Sequence, residues 1–227
     1  MDGNHPRKLE SIVFDFDGTL AELRLDFGEM KRRLSLLAEE YLTSALSPPT
    51  VPALEWMEAL AEEVRAIDAE AAGEFQRRAG ELIVSMETEA ARQGSLFPFT
   101  RSVLTLLRRR NIKIAIITRN CEKAVRLVFP DVDRYCGSFL AREHVERVKP
   151  DPNHLLTALR KVVAAPETAL MVGDHPIDIK TGRCAGVMTA GVWSGNASQE
   201  DLSRSGARWT ARNCLELMRV LIVQNMI

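Results

Sequence analysis

Ser11-Ile12-Val13-Phe14-Asp15-Phe16-Asp17-Gly18-Thr19 is the stretch on which the fold turns. Its apolar run, Ile12-Val13-Phe14, is short and uninterrupted, the pattern of a buried parallel strand, and it runs straight into a carboxylate-rich turn. Alternation along a strand points Asp15 and Asp17, two positions apart, toward the same side. Carboxylates so placed can divide the work of phosphoryl chemistry. One attacks phosphorus; the other protonates the leaving oxygen and later deprotonates the hydrolytic water. Gly18 permits a sharp exit, and Thr19 helps to orient the turn. Alone, the motif reads first as a plain acidic turn after a strand, so the sequence on either side has to decide.

Downstream of Phe97-Pro98-Phe99 the pattern alternates between strand and helix. Ile112–Ile117 is apolar, branched and short, and further strands are expected at Cys136–Leu140, Thr168–Gly173, Val187–Trp193 and Ala207–Thr210. Between them, Pro152 suits a first helical position after Asp151, and Asn213-Cys214-Leu215-Glu216 has the form of a capping box. Such alternation predicts a parallel sheet covered by helices, with a ligand site at the carboxyl ends of its strands. The intervening stretch from about Leu20 to Gly94 reads as all helix. Its apolar residues recur at helical spacing in three sets: Phe27, Met30, Leu34, Leu37 and Tyr41; Leu54, Met57, Val64 and Ile67; Phe75, Ala79, Leu82 and Met86. Ser47–Pro52 breaks the first set from the second, and Gly73 is expected to mark the next break. Because this segment leaves after the first strand and returns before the second, it is expected to form a cap over the strand ends.

Three more elements fall at expected strand ends. Thr118-Arg119-Asn120 offers a hydroxyl, an amide and backbone N–H groups beside a helix start, where phosphate could be held. Lys149 precedes Pro150-Asp151-Pro152, a rigid frame that keeps its ammonium near a loop mouth, where it would neutralise phosphate and nucleophile. Asp174 follows the apolar Ala169–Val172 run, with Asp178 about one helical turn on. Such carboxylates, with waters and substrate phosphate, suit the octahedral oxygen coordination of Mg²⁺.

Taken in order, Asp-x-Asp-Gly-Thr, a Thr, a Lys and Gly-Asp-x-x-x-Asp resemble the haloacid dehalogenase superfamily over nearly the whole chain. Lys149–Pro152 and the helical insertion resemble its phosphoglycolate-phosphatase-like branch. The resemblance implies an α/β fold: a Rossmann-like three-layer parallel-sheet core, residues 1–20 and 95–227, with an inserted α-helical cap, residues 21–94. It implies Asp15 as nucleophile and Asp17 as acid/base, with the Asp17 main-chain carbonyl on Mg²⁺. Thr118, Arg119, Asn120 and Lys149 would bind substrate phosphate. Asp174 would ligate the metal directly, and Asp178 would ligate it or hold its water shell, so the metal set is Asp15, Asp17, Asp174 and Asp178. The expected activity is Mg²⁺-dependent hydrolysis of a small phosphorylated metabolite, with phosphoglycolate the first guess. Dehalogenases and phosphonate-cleaving relatives do not keep the acid found here as Asp17. A sugar phosphomutase keeps every motif, and a non-catalytic binding module is the other alternative. His175, where Ser or Thr is usual, and Leu20-Ala21-Glu22-Leu23, which lacks the common Asp-Ser or Asp-Thr pair, are departures that bear on substrate.

Composition is that of a globular protein with an ordinary core and surface. The 227 residues are 46% hydrophobic and 27% charged, and 30 basic against 31 acidic residues leave a net charge of -1. No broad field points to a nucleic-acid or membrane partner. Arg108-Arg109-Arg110 reads as the cationic end of a helix. Cys121, Cys136, Cys184 and Cys214 lack zinc spacing and read as reduced thiols. Met1–Glu10 is polar, without a secretory apolar run, and a cytoplasmic location is expected. His175 reads first as a loop cap and Arg24 as a solvated helix-face residue, with substrate contact the alternative for each. Oligomeric state is not encoded in any motif.

Overall fold

The computed structural model describes residues 8–43, 47, 48 and 50–227, so the first seven residues of the polar amino-terminal stretch, and Pro49 of the expected Ser47–Pro52 break, lie outside it. In chain order the elements are β1 (Ser11–Phe14), β2 (Ala21–Glu22), α1 (Phe27–Ala38), α2 (Ala53–Arg65), α3 (Ala69–Gln93), β3 (Ser95–Leu96), α4 (Thr100–Arg109) and β4 (Lys113–Ile117). They continue with α5 (Glu122–Val128), β5 (Ser138–Leu140), α6 (Pro152–Lys161), β6 (Ala169–Gly173), α7 (Pro176–Cys184), β7 (Met188–Val192), α8 (Gln199–Arg204), β8 (Trp209–Ala211) and α9 (Cys214–Val223). They form two compact units, one of residues up to Leu23 with Gln93–Ile227, the other of Arg24–Arg92.

The first unit is an α/β sandwich around a six-stranded parallel sheet in the order β5-β4-β1-β6-β7-β8. The four residues of β1 are all buried because both faces of the central strand are covered. On one face Val13, Ala115, Ile117 and Met171 pack with Leu155, Ala158 and Leu159 of α6. The opposite-facing Ile12, Phe14, Ile116 and Val172 are equally sealed, and α4 and α9 pack together beyond the sheet. Helix α6 starts where its sequence said it should, with the Asp151 carboxylate accepting from the Asn153 N–H at 2.8 Å and Pro152 in the first turn. Asn213 caps α9 by accepting from the Glu216 N–H at 3.0 Å.

The second unit closes on its own core, in which Met30, Leu34, Trp56, Leu60, Val64, Phe75, Ala79 and Ile83 are buried at helical spacing. Two expectations need correction. The stretch read as all helix contains β2, which pairs antiparallel with β3, Ala21 opposite Leu96 and Glu22 opposite Ser95; two residues are too few to carry a period. Gly73 does not break a helix but lies inside α3. A helical glycine costs only about 1 kcal/mol, and the break comes instead at Asp68, whose carboxylate accepts from the N–H groups of Glu70 and Ala71. Among the described residues no helix is long and apolar enough to cross a membrane.

Candidate active site

Parallel register brings the sequence motifs to one edge of the sheet. Phe14 stands opposite Ile116 on one side and Val172 on the other, so Asp15, Thr118 and Asp174 leave at the carboxyl ends of three adjacent strands. The Asp15 N–H donates to the Val172 carbonyl at 2.8 Å. After β6 the chain turns at His175, whose Nδ1 accepts from the Ile177 N–H at 3.2 Å while the Asp178 carboxylate accepts from the His175 N–H at 3.1 Å. This reciprocal cap fixes Asp178 in the first turn of α7 and gives His175 the structural role.

Between the carboxylates lies Lys149, from the loop before α6, joined to Pro150 by a cis peptide bond. Its Nζ donates to Asp15 Oδ1 at 2.5 Å and to Asp178 Oδ1 at 2.6 Å, and all three residues are buried. The Thr19 hydroxyl donates to Asp15 Oδ2 at 3.4 Å, so the last residue of the first motif helps to orient that carboxylate. Asp174 completes the group: one oxygen each of Asp15, Asp174 and Asp178 lie within 4.8 Å of one another.

A loop after β7, which the sequence reading did not single out, frames Asp174. The Asn196 N–H donates to Asp174 Oδ2 at 3.2 Å, and the Ser194 hydroxyl donates to the Gly18 carbonyl at 2.7 Å. A Cβ at Gly195 would collide with the Asp174 carboxylate, and so would one at Gly18, where φ is +75°. Turn residues directly after a strand were the available signal; nothing in the sequence says which carboxylate they approach.

Burial dominates the electrostatics. It pushes Asp15 up to about 6; Lys149 opposes the rise and Asp178 adds to it. It holds Asp174 well above the usual carboxylate range, with Asp15 and Asp178 adding repulsion. Burial alone would lower the Lys149 ammonium, but Asp15 and Asp178 outweigh it and raise it. Three sealed carboxylates facing one ammonium leave negative charge that a divalent cation would offset, and an all-oxygen donor set fits a hard ion such as Mg²⁺.

Asp17 stands outside this trio. Its Oδ1 accepts from the Leu23 N–H at 2.9 Å, and burial, only partly countered by that bond, pushes it up to about 7. A carboxyl titrating there can both give and take a proton near neutrality.

Thr118 is buried, its N–H donating to Leu140 O at 3.0 Å and its hydroxyl accepting from the Asn120 N–H at 3.1 Å. Arg119 reaches elsewhere: its guanidinium donates to the Lys149 carbonyl at 2.7 Å. Asn120 is buried, and its carbonyl accepts from the Arg142 N–H at 3.2 Å. Arg24 is exposed. Met171 is core and Trp193 is half-buried. The four cysteines are free thiols, with Cys214 sealed and its Sγ against the Thr19 carbonyl at 3.3 Å.

Among curated proteins, an N-acetylmuramic acid 6-phosphate phosphatase of Pseudomonas putida is 27% identical over 226 residues, which covers 94% of this chain and 96% of that protein. Pyrophosphatase PpaX of Oceanobacillus iheyensis is 26% identical over 198 residues, 82% of this chain and 85% of the relative. The solved structure of a hydrolase from Pseudomonas syringae shares the fold, with a TM-score of 0.69 at 21% identity over 94% of this chain and 98% of that one. The model of the family described as haloacid dehalogenase-like hydrolase matches residues 12–192. That match runs from β1 to the end of β7 and takes in Asp15, Asp17, Thr118, Lys149, Asp174 and Asp178, so the chain belongs to the haloacid dehalogenase-like hydrolase family.

Proposed function

We propose that this hydrolase is a Mg²⁺-dependent phosphatase that removes phosphate from a small phosphorylated metabolite through an aspartyl-phosphate on Asp15. The observation that carries this reading is the sealed Lys149 ammonium bridging Asp15 and Asp178 beside Asp174. A carboxylate and a phosphate dianion repel each other at contact distance, and a fixed cation at the nucleophile offsets that repulsion. The side chains of Asp15, Asp174 and Asp178 and the main-chain carbonyl of Asp17 would hold Mg²⁺, which would add further neutralisation when bound.

In the first step an Asp15 oxygen forms a bond to phosphorus as the ester oxygen–phosphorus bond breaks, and Asp17 gives its proton to the leaving alcohol. Water then attacks the acyl phosphate, its proton passing to Asp17, and release of phosphate restores the Asp15 carboxylate. An Asp17 carboxyl at about 7 suits both halves of this cycle. Lys149, Thr118, Arg119 and Asn120 would bind the phosphoryl oxygens. The domain reading, a catalytic core of residues 1–20 and 95–227 and a cap of 21–94, belongs to the same proposal, as does a cytoplasmic location.

Names of relatives widen the set of esters worth testing beyond phosphoglycolate to phosphorylated sugar acids and pyrophosphate. The test is phosphate release from phosphoglycolate, N-acetylmuramic acid 6-phosphate, other sugar phosphates, nucleoside monophosphates and pyrophosphate, with Mg²⁺ and with chelator. Release that needs Mg²⁺ supports the reading and ranks the substrates. Folded protein that releases none, or that isomerises a bisphosphate-primed sugar phosphate instead, overturns it.

A further inference from the structure

Lys149 is held by its main chain as well as by its ammonium. Its N–H donates to Nδ1 of His154 at 3.3 Å, and its carbonyl accepts from Arg119 at 2.7 Å. His154, in the first turn of α6, is completely buried, and its Nε2 meets the carbonyl of Leu140, the last residue of β5, at 3.2 Å. That same carbonyl accepts the Thr118 N–H at 3.0 Å. One imidazole therefore links the loop that carries Lys149 to the carbonyl that anchors Thr118.

The two contacts fix the ring's protonation. Nδ1 can accept an N–H only if it carries no proton, and Nε2 can meet a carbonyl only as N–H, so the ring is the neutral Nε2–H tautomer. Burial, with the Lys149 charge nearby, pushes the imidazole down to about 4, which keeps it neutral. An apolar side chain could fill the space but would leave a sealed backbone N–H without its acceptor. Because Lys149 Nζ contacts Asp15 and Asp178 simultaneously, any slip of its backbone alters both contacts.

We infer that His154 is a positioning residue for the phosphate site: it spans Leu140 and Lys149 as a rigid strut and sets the Lys149 ammonium between Asp15 and Asp178. This rests on the reading of Lys149 as a phosphate-binding cation. The sequence alone gave His154 no role, because its partners are two backbone groups that no motif records.

The test pairs His154→Leu with His154→Gln, whose carboxamide carries an acceptor and a donor like the two ring nitrogens. With the best ester and saturating Mg²⁺, His154→Leu should lose about 100-fold in kcat/KM, mostly in kcat, and weaken inhibition by orthophosphate; His154→Gln should recover most of both. Wild-type kinetics in a folded His154→Leu, or equal losses in the two variants, overturn the inference. Nitrogen-15 histidine spectra of the wild type provide a readout that needs neither variant. A neutral Nε2–H ring at pH 7 is expected, and an Nδ1–H or charged ring overturns the inference. Should the wild type hydrolyse no ester, the phosphatase reading fails by itself. The strut is then judged by the ring tautomer and by the Lys149 ammonium resonance, which His154→Leu should move and His154→Gln should leave in place.

Discussion

In the helical unit Arg77 reaches Glu74 and Glu81 along α3, and Arg32 and Arg33 share Glu29 on α1, all with substantial solvent access. In the sheet unit Lys149 meets Asp15 and Asp178 with side chains no more than 9% exposed. Similar distances conceal different physics. The helical pairs are local, three or four residues apart and screened, and pairs of that kind contribute little. The buried trio comes from residues up to 163 positions apart in sequence, since Asp15 and Asp178 stand at opposite ends of it. Desolvation makes it costly to keep, and replacement by apolar residues is often neutral or stabilising elsewhere. The cluster is therefore weak evidence for stability, and the proposed phosphatase chemistry gives it a use.

The sharpest break in that contrast is Asp15→Asn. Turnover should fall at least about a thousandfold while the protein stays folded, as steady-state kinetics beside a thermal melt would check. An active, folded Asp15→Asn would put this trio on the same footing as the helical pairs. Next is Gly195→Ala, which brings a methyl group against the Asp174 carboxylate. Half-saturation by Mg²⁺ should rise about 10- to 100-fold, read from turnover against metal concentration.

A third prediction concerns pH. Asp17 is pushed up to about 7 from an ordinary 3.8, so the folded state binds its proton more tightly than the unfolded chain does. Its contribution is full below the ordinary value and is lost as pH rises through about 7. In chelator, Asp17→Asn should therefore be more stable than wild type at pH 8, by about 2 kcal/mol after allowance for solvent access, and the gap should close toward pH 4. Urea unfolding across that range measures it. His154 acts in the opposite sense, since depression to about 4 costs stability as pH falls below 6.5, but it is common to both proteins and cancels in the comparison. Smallest of all, Arg77→Ala should leave the melting midpoint and kcat within experimental scatter; a large drop in either would show that the exposed pairs also matter.

What the sequence disclosed follows from how each feature is encoded. β1, β4 and β6 were legible because buried strands are apolar runs ending in turn residues, and parallel order followed from the helices between them. Asp15 and Asp174 stood out because each directly follows an apolar strand run, whereas Lys149, expected at a strand end, lies well beyond β5 in the loop before α6, and Asp178 lies in the first turn of α7. Gly73 misled because a helix tolerates one glycine, whereas the break at Asp68 depended on a cap that only the backbone path reveals. The Arg119 side chain donates to the Lys149 carbonyl, a main-chain partner that no motif records. His154 and Ser194 meet main-chain groups and the Asn196 N–H meets the Asp174 carboxylate, contacts that no motif records and that the folded backbone path alone brings together.

The two-residue ribbon of β2 and β3 closes the base of the helical insertion. By pairing Ala21 with Leu96, it brings the ends of a long excursion to within one rung of each other. The sheet thus sees the excursion as little more than a hairpin loop, whatever its length, and loop-closure entropy grows only slowly with added residues. Both points of departure stay adjacent whether they bracket a few residues or a helical body with its own core. An architecture tethered in this way can exchange the inserted body over evolutionary time while leaving the registers of its catalytic strands unchanged.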